Sequence, residues 1–245
     1  MTLKNRVVLV TGGAKRIGQA LALAIASRGA HVAISYNTSA ADAKRTVKML
    51  EHNSGRKALA VRADLSRSAE VKRLIGSVAS TFKRLDVLIN CAANFQRVSF
   101  DKLTERDWDF AMDTNAKGPF LCSLYASKLM LRSGGGKIIN MADWAGVRPY
   151  RNYLPYCVSK AAVIGLTKTL AKELAPKIQV TAIAPGPVLA PPDMSAAQRN
   201  SVARRVPLRH WGQPQDIINT ALFLIEGTDF MTGSTVFVDG GQIIA

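Results

Sequence analysis

The sequence predicts an α/β protein built on one doubly wound, parallel, seven-stranded sheet with helices on both faces. Short apolar runs rich in β-branched residues alternate with longer stretches at helical spacing along the whole chain. That alternation makes a parallel sheet covered on both sides, and right-handed crossovers wind it in both directions. The first run ends in a glycine-rich turn, Gly12-Gly13, directly before a helical stretch. The 245 residues, 48% of them hydrophobic, suit a single domain spanning 1–245 with a sizeable core.

Each element follows from pattern and punctuation. Arg6 to Thr11 reads as the first strand, and Ile17 to Arg28, with Leu21 and Ile25 among many alanines, as the first helix. His31 to Tyr36 is the second strand. Ala40 to Asn53 is helical and stops before Gly55. Lys57 to Ala63 is the third strand. Ala69 to Phe82 is a helix with Val71, Leu74, Ile75 and Val78 on one face, and Asp86 to Asn90 is the fourth strand. Asp107 to Arg132 reads as one long helix bent near Pro119. Gly136 to Ala142 is the fifth strand, and Tyr153 to Ala175 is a helix stopped by Pro176. Ile178 to Ala184 is the sixth strand. A Pro-rich stretch from Pro185 to Pro192 leads into a basic helix or loop ending at Trp211. Pro214 to Ile225 is helical and Thr235 to Val238 is the seventh strand.

Charge and composition narrow the function. The net charge is +16, yet the basic residues are scattered, with short clusters such as Lys44-Arg45-Lys48 and Arg204-Arg205. No nucleic-acid motif accompanies them. A basic enzyme with anionic ligands and a solvated basic surface are the two readings that remain. Cys91, Cys122 and Cys157 form no CxxC pair, so no disulfide framework, zinc site or other metal is expected. The apolar run after Met1 to Arg6 is too short for a secretory signal. No stretch reaches the roughly 18–20 apolar residues of a membrane helix. A cytoplasmic protein without a membrane or nucleic-acid partner is expected.

The turn Thr11-Gly12-Gly13-Ala14-Lys15-Arg16-Ile17-Gly18 lies between a strand and a helix. Glycines there let the backbone approach a pyrophosphate, and the helix offers its N-terminal amides to that anion. Four further features share this order in the chain: Asp64-Leu65, Asn90-Cys91-Ala92-Ala93, the pair Tyr156 and Lys160 spaced YxxxK, and Pro185-Gly186. Together they resemble the short-chain dehydrogenase/reductase family over nearly the whole chain, with its Rossmann-like fold. The loop departs from the family's TGxxxGxG at Arg16. The second strand ends Ser35-Tyr36-Asn37-Thr38-Ser39, without the carboxylate an NAD enzyme uses on its ribose. The expected cofactor is therefore NADP(H), with Arg16, Asn37, Thr38 and Ser39 as the 2′-phosphate set. The resemblance adds Gly12, Lys15, Ile17, Gly18 and Tyr36 on the phosphate and adenosine side. Asp64 and Leu65 would meet the adenine. Asn90, Cys91, Ala92, Met141, Pro185, Gly186 and Val188 would lie toward the nicotinamide. Residues 1–95 would form mainly the cofactor-binding half, and 185–212 a substrate lid. A homotetramer is implied as well.

The reacting centre is expected at Tyr156, Lys160, Asn115 and Asp143. Positions i and i+4 share a helix face, so the Lys160 ammonium should favour the Tyr156 phenolate and lower a pKa that is ordinarily about 10. The resemblance makes Asn115 a relay residue and gives Tyr156 and Lys160 cofactor contacts. Asp143 stands where most members of the family carry serine. A carboxylate repels a carbonyl unless protonated, whereas a carboxyl group can relay the proton a C=N bond takes up. Asp143, Arg16 and Phe95 together resemble the pteridine reductases and the dihydrofolate/dihydromonapterin reductases of the family. Phe95 would stack on a pterin. The expectation is NADPH-dependent reduction of a pterin or dihydrofolate C=N bond, with Arg16, Phe95, Asp143 and Tyr156 holding the substrate. The alternative is an NADPH-dependent carbonyl reductase acting on a 3-oxoacyl thioester or another ketone. A non-catalytic NADP-binding sensor, or a protein associated with nucleic acid, has no need of the Tyr156/Lys160 pair.

Overall fold

The computed structural model describes residues 1–191 and 194–245. The seven strands form one parallel sheet in the order β3-β2-β1-β4-β5-β6-β7. They are β1 (Val7–Val10), β2 (His31–Tyr36), β3 (Ala58–Arg62), β4 (Val87–Asn90), β5 (Gly136–Met141), β6 (Ile178–Pro185) and β7 (Thr235–Val238). Successive side chains of a strand point to opposite faces, and each face is buried by its own helices. Val8 and Val10 point toward α1 (Arg16–Ser27), α2 (Ala40–Ser54) and α8 (Pro214–Leu222), through Leu21, Ile25, Leu50 and Ile217. Val7 and Leu9 point toward α3 (Ser68–Phe82) and α5 (Gly118–Arg132), through Leu74, Val78, Leu121 and Met130.

The order reverses between β1 and β4, which pair directly from Val8 with Val87 to Val10 with Ile89. Crossovers leave this junction in opposite directions and open a crevice beyond the carboxyl ends of the two strands. α6 (Leu154–Leu174) packs on β6 and delivers its N-terminal turns to the same edge of the sheet.

Two expected helices differ. The long helix begins at α4 (Glu105–Met112), not at Asp107, because Thr104 caps it. The Thr104 side chain accepts from the Asp107 amide and Asp107 returns a bond to Thr104. It is interrupted not at Pro119 but by a π-helical turn over Asp113–Lys117, and Pro119 then sits in the first turn of α5, where no amide is needed. The helix expected over Pro214 to Ile225 likewise passes into a π-helical turn at Phe223–Gly227. In the expected basic segment, α7 (Ala196–Arg205) is a helix with no buried residue. The Pro-rich stretch and the lid expected over 185–212 include residues 192 and 193, which lie outside the described residues.

At the opposite edge of the sheet, Asp86 is 1% exposed. It accepts from Arg6 at 2.9 Å, from Arg84 at 2.6 and 2.9 Å, and from the Val7 amide at 2.9 Å. Asp86→Ala leaves two guanidinium groups without their shared carboxylate. Both guanidinium groups are more than a third exposed and stay hydrated, so we expect a loss of about 1–3 kcal/mol, read as a fall in Tm of roughly 5 °C, with dinucleotide affinity unchanged. A Tm within a degree or two of the parent's contradicts this.

Candidate active site

The crevice above β1 and β4 is a cleft of about 550 Å³. Its floor is the β1–α1 loop. A Cβ on Gly12 would stand 2.8 Å from the Ala92 Cα, and one on Gly18 would stand 2.3 Å from the Gly12 carbonyl oxygen. Only glycine allows the loop to lie this close to β4 and α1 to start this close to the loop. The Thr11 hydroxyl locks the junction by accepting from the Cys91 and Ala92 amides at 2.9 and 3.1 Å. α1 begins with no side-chain cap and no acid in its first turn, so its leading amides and positive dipole end face the cleft beside Lys15.

The cleft wall holds Lys15, Arg16 and Ile17, then Tyr36, Asn37, Thr38 and Ser39, then Asp64, Leu65, Cys91 and Ala92. The far end carries hydroxyls and an amide without a carboxylate. Asp64 is turned inward onto Ser66, with Arg67 3.5 Å away. Arg62, which the sequence reading passed over, brings its guanidinium to the Asn37 carbonyl at 3.2 Å. Its position was legible from register, since Arg62 lies opposite Tyr36 on the neighbouring strand. This donor set fits a dinucleotide carrying an extra phosphate. Burial pushes the Cys91 thiol up to about 11, so it stays neutral on that wall.

Arg16 lines the same cleft as Asn37, Thr38 and Ser39. Its guanidinium donates to the Leu189 carbonyl at 2.9 Å, in the segment after β6. Its backbone is left-handed at φ 55°, a conformation that costs a bulky residue about 1–2 kcal/mol. Of the residues expected toward the nicotinamide, Asn90 is buried and spends its side-chain amide on Asn140 and Ser123. Met141 offers its carbonyl to Lys160, and the Gly186 amide closes the Pro185 turn on Val238. Val188 packs against the core.

α6 places Tyr156 and Lys160 one turn apart, and the turn after β5 brings Asp143 to meet them. The Tyr156 hydroxyl donates to Asp143 Oδ2 at 2.6 Å, while Asp143 Oδ1 accepts from the Ala145 amide at 2.8 Å. Lys160 Nζ donates to the Met141 carbonyl at 2.8 Å and lies 5.7 Å from the centre of the Tyr156 ring. Tyr156 and Lys160 are buried, Tyr156 to 6% exposure, and Asp143 is partly buried. Burial raises the Asp143 carboxyl above the usual carboxylate range, against the pull of the Tyr156 and Ala145 hydrogen bonds and the Lys160 charge. Burial, followed by the charge of Asp143, drives Tyr156 well above its ordinary value. Lys160 is itself lowered by burial. The expectation that Lys160 lowers Tyr156 is thus reversed: desolvation and the neighbouring carboxyl outweigh one ammonium.

Asn115 lies in the π-helical turn and reaches neither Tyr156 nor Lys160 by its recorded bonds. Its amide donates to Ser159 Oγ and to the Asn94 carbonyl, both at 3.1 Å, and its oxygen accepts from the Asn94 amide at 2.8 Å. Ser159 in turn donates to the Tyr156 carbonyl at 2.6 Å. Asn115 therefore ties the loop after β4 to the Tyr156 turn of α6. Phe95, 51% exposed, lies edge-on to Tyr156 at 4.7 Å and stacks on Tyr153 at 4.5 Å. Trp144 extends this aromatic wall, donating to the Tyr150 hydroxyl at 2.6 Å. Sequence reading found Phe95 but not Tyr150, Tyr153 or Trp144, although the cluster of aromatics before Tyr156 was the available signal.

A methyl group at position 12 has no room. Gly12→Ala, with φ 65° and Ala92 in the way, should weaken NADPH binding tenfold or more, on the order of 1.4 kcal/mol. Fluorescence titration reads this directly, and an unchanged affinity contradicts the placement of the cofactor on this loop.

A family model described as enoyl-(acyl carrier protein) reductase matches residues 12–242. A 3-oxoacyl-acyl-carrier-protein reductase of Synechocystis is 38% identical over 99% of this chain and 98% of that protein. One from Staphylococcus epidermidis is 36% identical over 97% of this chain and 99% of that protein. The crystal structure of a blue fluorescent protein from a metagenomic library, in complex with NADPH, superposes with TM-score 0.91 at 30% identity, covering 100% of both chains. A short-chain type dehydrogenase/reductase from Mycobacterium ulcerans gives 0.93 at 27% identity, covering 100% of this chain and 92% of that one. These two relatives carry the name of 3-oxoacyl reductases, so the comparisons show the resemblance at the level of the family and do not show its pterin-reducing branch. The chain belongs to the short-chain dehydrogenase/reductase family and is an oxidoreductase of that family.

Proposed function

We propose that this oxidoreductase reduces a carbonyl group with NADP(H), on a 3-oxoacyl thioester or a ketone like it. The observation that carries this is the Tyr156–Asp143 hydrogen bond of 2.6 Å within a buried pocket. The sequence argued against a ketone because a carboxylate repels one. Burial weakens that objection: it raises the Asp143 carboxyl above the usual carboxylate range, toward the neutral form that donates as the serine of other members does. The names of the curated relatives support the same substrate class.

The bound cofactor supplies hydride, and the protein supplies orientation and protons. Gly12, Lys15, Ile17 and Gly18 hold the pyrophosphate, and Asn37, Thr38 and Ser39 hold the additional phosphate. Tyr156 gives its proton to the carbonyl oxygen as negative charge develops there. A phenol with a raised pKa is a weak acid in the resting site, so a second donor matters. Asp143, in contact with Tyr156, shares the developing charge and returns a proton to the phenol. Lys160, fixed by the Met141 carbonyl, holds a positive charge beneath Tyr156 that favours its deprotonated form during the step. Phe95 and Tyr153 wall the substrate entrance, and the segment over 185–212 serves as the lid. The protein acts as a homotetramer, a reading supported by exposed Phe120, Leu124 and Val158 on α5 and α6.

A second reading keeps the pterin or dihydrofolate. Asp143 together with the half-exposed ring of Phe95 favours it, since a flat heterocycle can stack there. NADPH oxidation with acetoacetyl-CoA, dihydrobiopterin and dihydrofolate in parallel separates the two. Thioester turnover is expected, and turnover of a pterin alone overturns the carbonyl reading. In Asp143→Ser the ketone activity should stay within about tenfold, whereas pterin activity, if it is the true one, should collapse.

The pH profile carries its own sign. The protonated Asp143 persists to higher pH than an ordinary carboxyl, and kcat/KM for the ketone falls as pH rises through that raised pKa. Asp143→Ser should lose this limb of the profile. A limb that persists in the variant assigns it to another group.

A further inference from the structure

Arg16 departs from the family's loop twice. It occupies a backbone conformation at φ 55° that suits glycine, at the position where the family pattern has one. Its side chain also leaves the phosphate loop and donates to the Leu189 carbonyl at 2.9 Å. Strain kept at such a site points to a use for the side chain. Leu189 belongs to the segment that leaves β6. That segment is pinned at one end by the Gly186 amide on the Val238 carbonyl, at 2.9 Å, and again by the Gly212 amide on the Pro187 carbonyl, at 3.0 Å. The Arg16 contact joins this segment to the β1–α1 loop.

We propose that Arg16 is a strap across the cofactor cleft: it holds the segment around Leu189 against the phosphate loop, slows release of the dinucleotide and does not read the 2′-phosphate. This rests on the reading of the cleft as the dinucleotide site. Recognition of the extra phosphate falls to Asn37, Thr38 and Ser39, with Arg62 beside them. A strap acts on any dinucleotide, with or without that phosphate. A phosphate reader acts on NADPH alone.

The test is Arg16→Gly, compared with the parent by stopped-flow release of NADPH and of NADH and by thermal melting. Glycine relieves the backbone, so Tm should rise by about 2–4 °C. Loss of one charged-donor hydrogen bond should speed release of both nucleotides by the same factor, on the order of tenfold. Faster release of NADPH alone overturns the proposal and returns Arg16 to the phosphate set. Unchanged release of both also overturns it. A parent protein that binds neither nucleotide overturns the reading of the cleft, and the strap with it.

Discussion

β1 and β4 lie side by side, and their crossovers depart in opposite directions. A parallel sheet with this reversal cannot cover the carboxyl ends of both strands with the connections that follow them. The uncovered edge becomes a cleft, and the chain's chemistry is gathered along it. Thr11 fastens the β1 loop to the β4 loop, and Gly12 lets the two backbones touch. The loops after β5 and β6 then add Asp143 and the segment with Leu189 to the same rim. Binding and reaction share one constraint because every contributing loop leaves the same edge.

Within that rim, depth decides the electrostatics. Lys160 beside Tyr156 suggests a lowered phenol pKa when only spacing is considered. Three ionisable groups withdrawn from water behave differently: each shifts toward its neutral form, Asp143 and Tyr156 upward and Lys160 downward. The shifts disfavour a phenolate at Tyr156 and a carboxylate at Asp143. In the proposed reaction Tyr156 therefore starts as a phenol and gives its proton to an oxygen as charge appears there. Burial also lets an aspartate stand in for a serine, since a neutral carboxyl and a hydroxyl are both donors.

Most of the architecture was legible because it rests on period and punctuation. β2 and β7 keep the limits expected from their apolar runs, and the proline after α6 marks its end. The π-helical turn at Asp113–Lys117 was not legible, because one extra residue in a turn barely disturbs a helical pattern. Yet that turn sets Asn115 against Asn94 and Ser159. The site was legible as a set of residues but not as a set of contacts. Tyr156, Lys160 and Asp143 follow from motif spacing, and the structure brings them together. The direction of Arg16 does not follow, since a long side chain on a loop can turn to either rim. Arg62 and Tyr153 matter through neighbours on other elements, which sequence order hides.

The central claim is that burial raises the Asp143 carboxyl above the usual carboxylate range. Infrared difference spectroscopy between the parent protein and Asp143→Asn, both loaded with NADP⁺, isolates its carboxyl stretch. A protonated carboxyl band that persists to higher pH than that of an ordinary aspartate is the predicted result. A protonated band lost at or below the pH where an ordinary aspartate ionises would contradict the account, leaving a charged group where a carbonyl oxygen must bind.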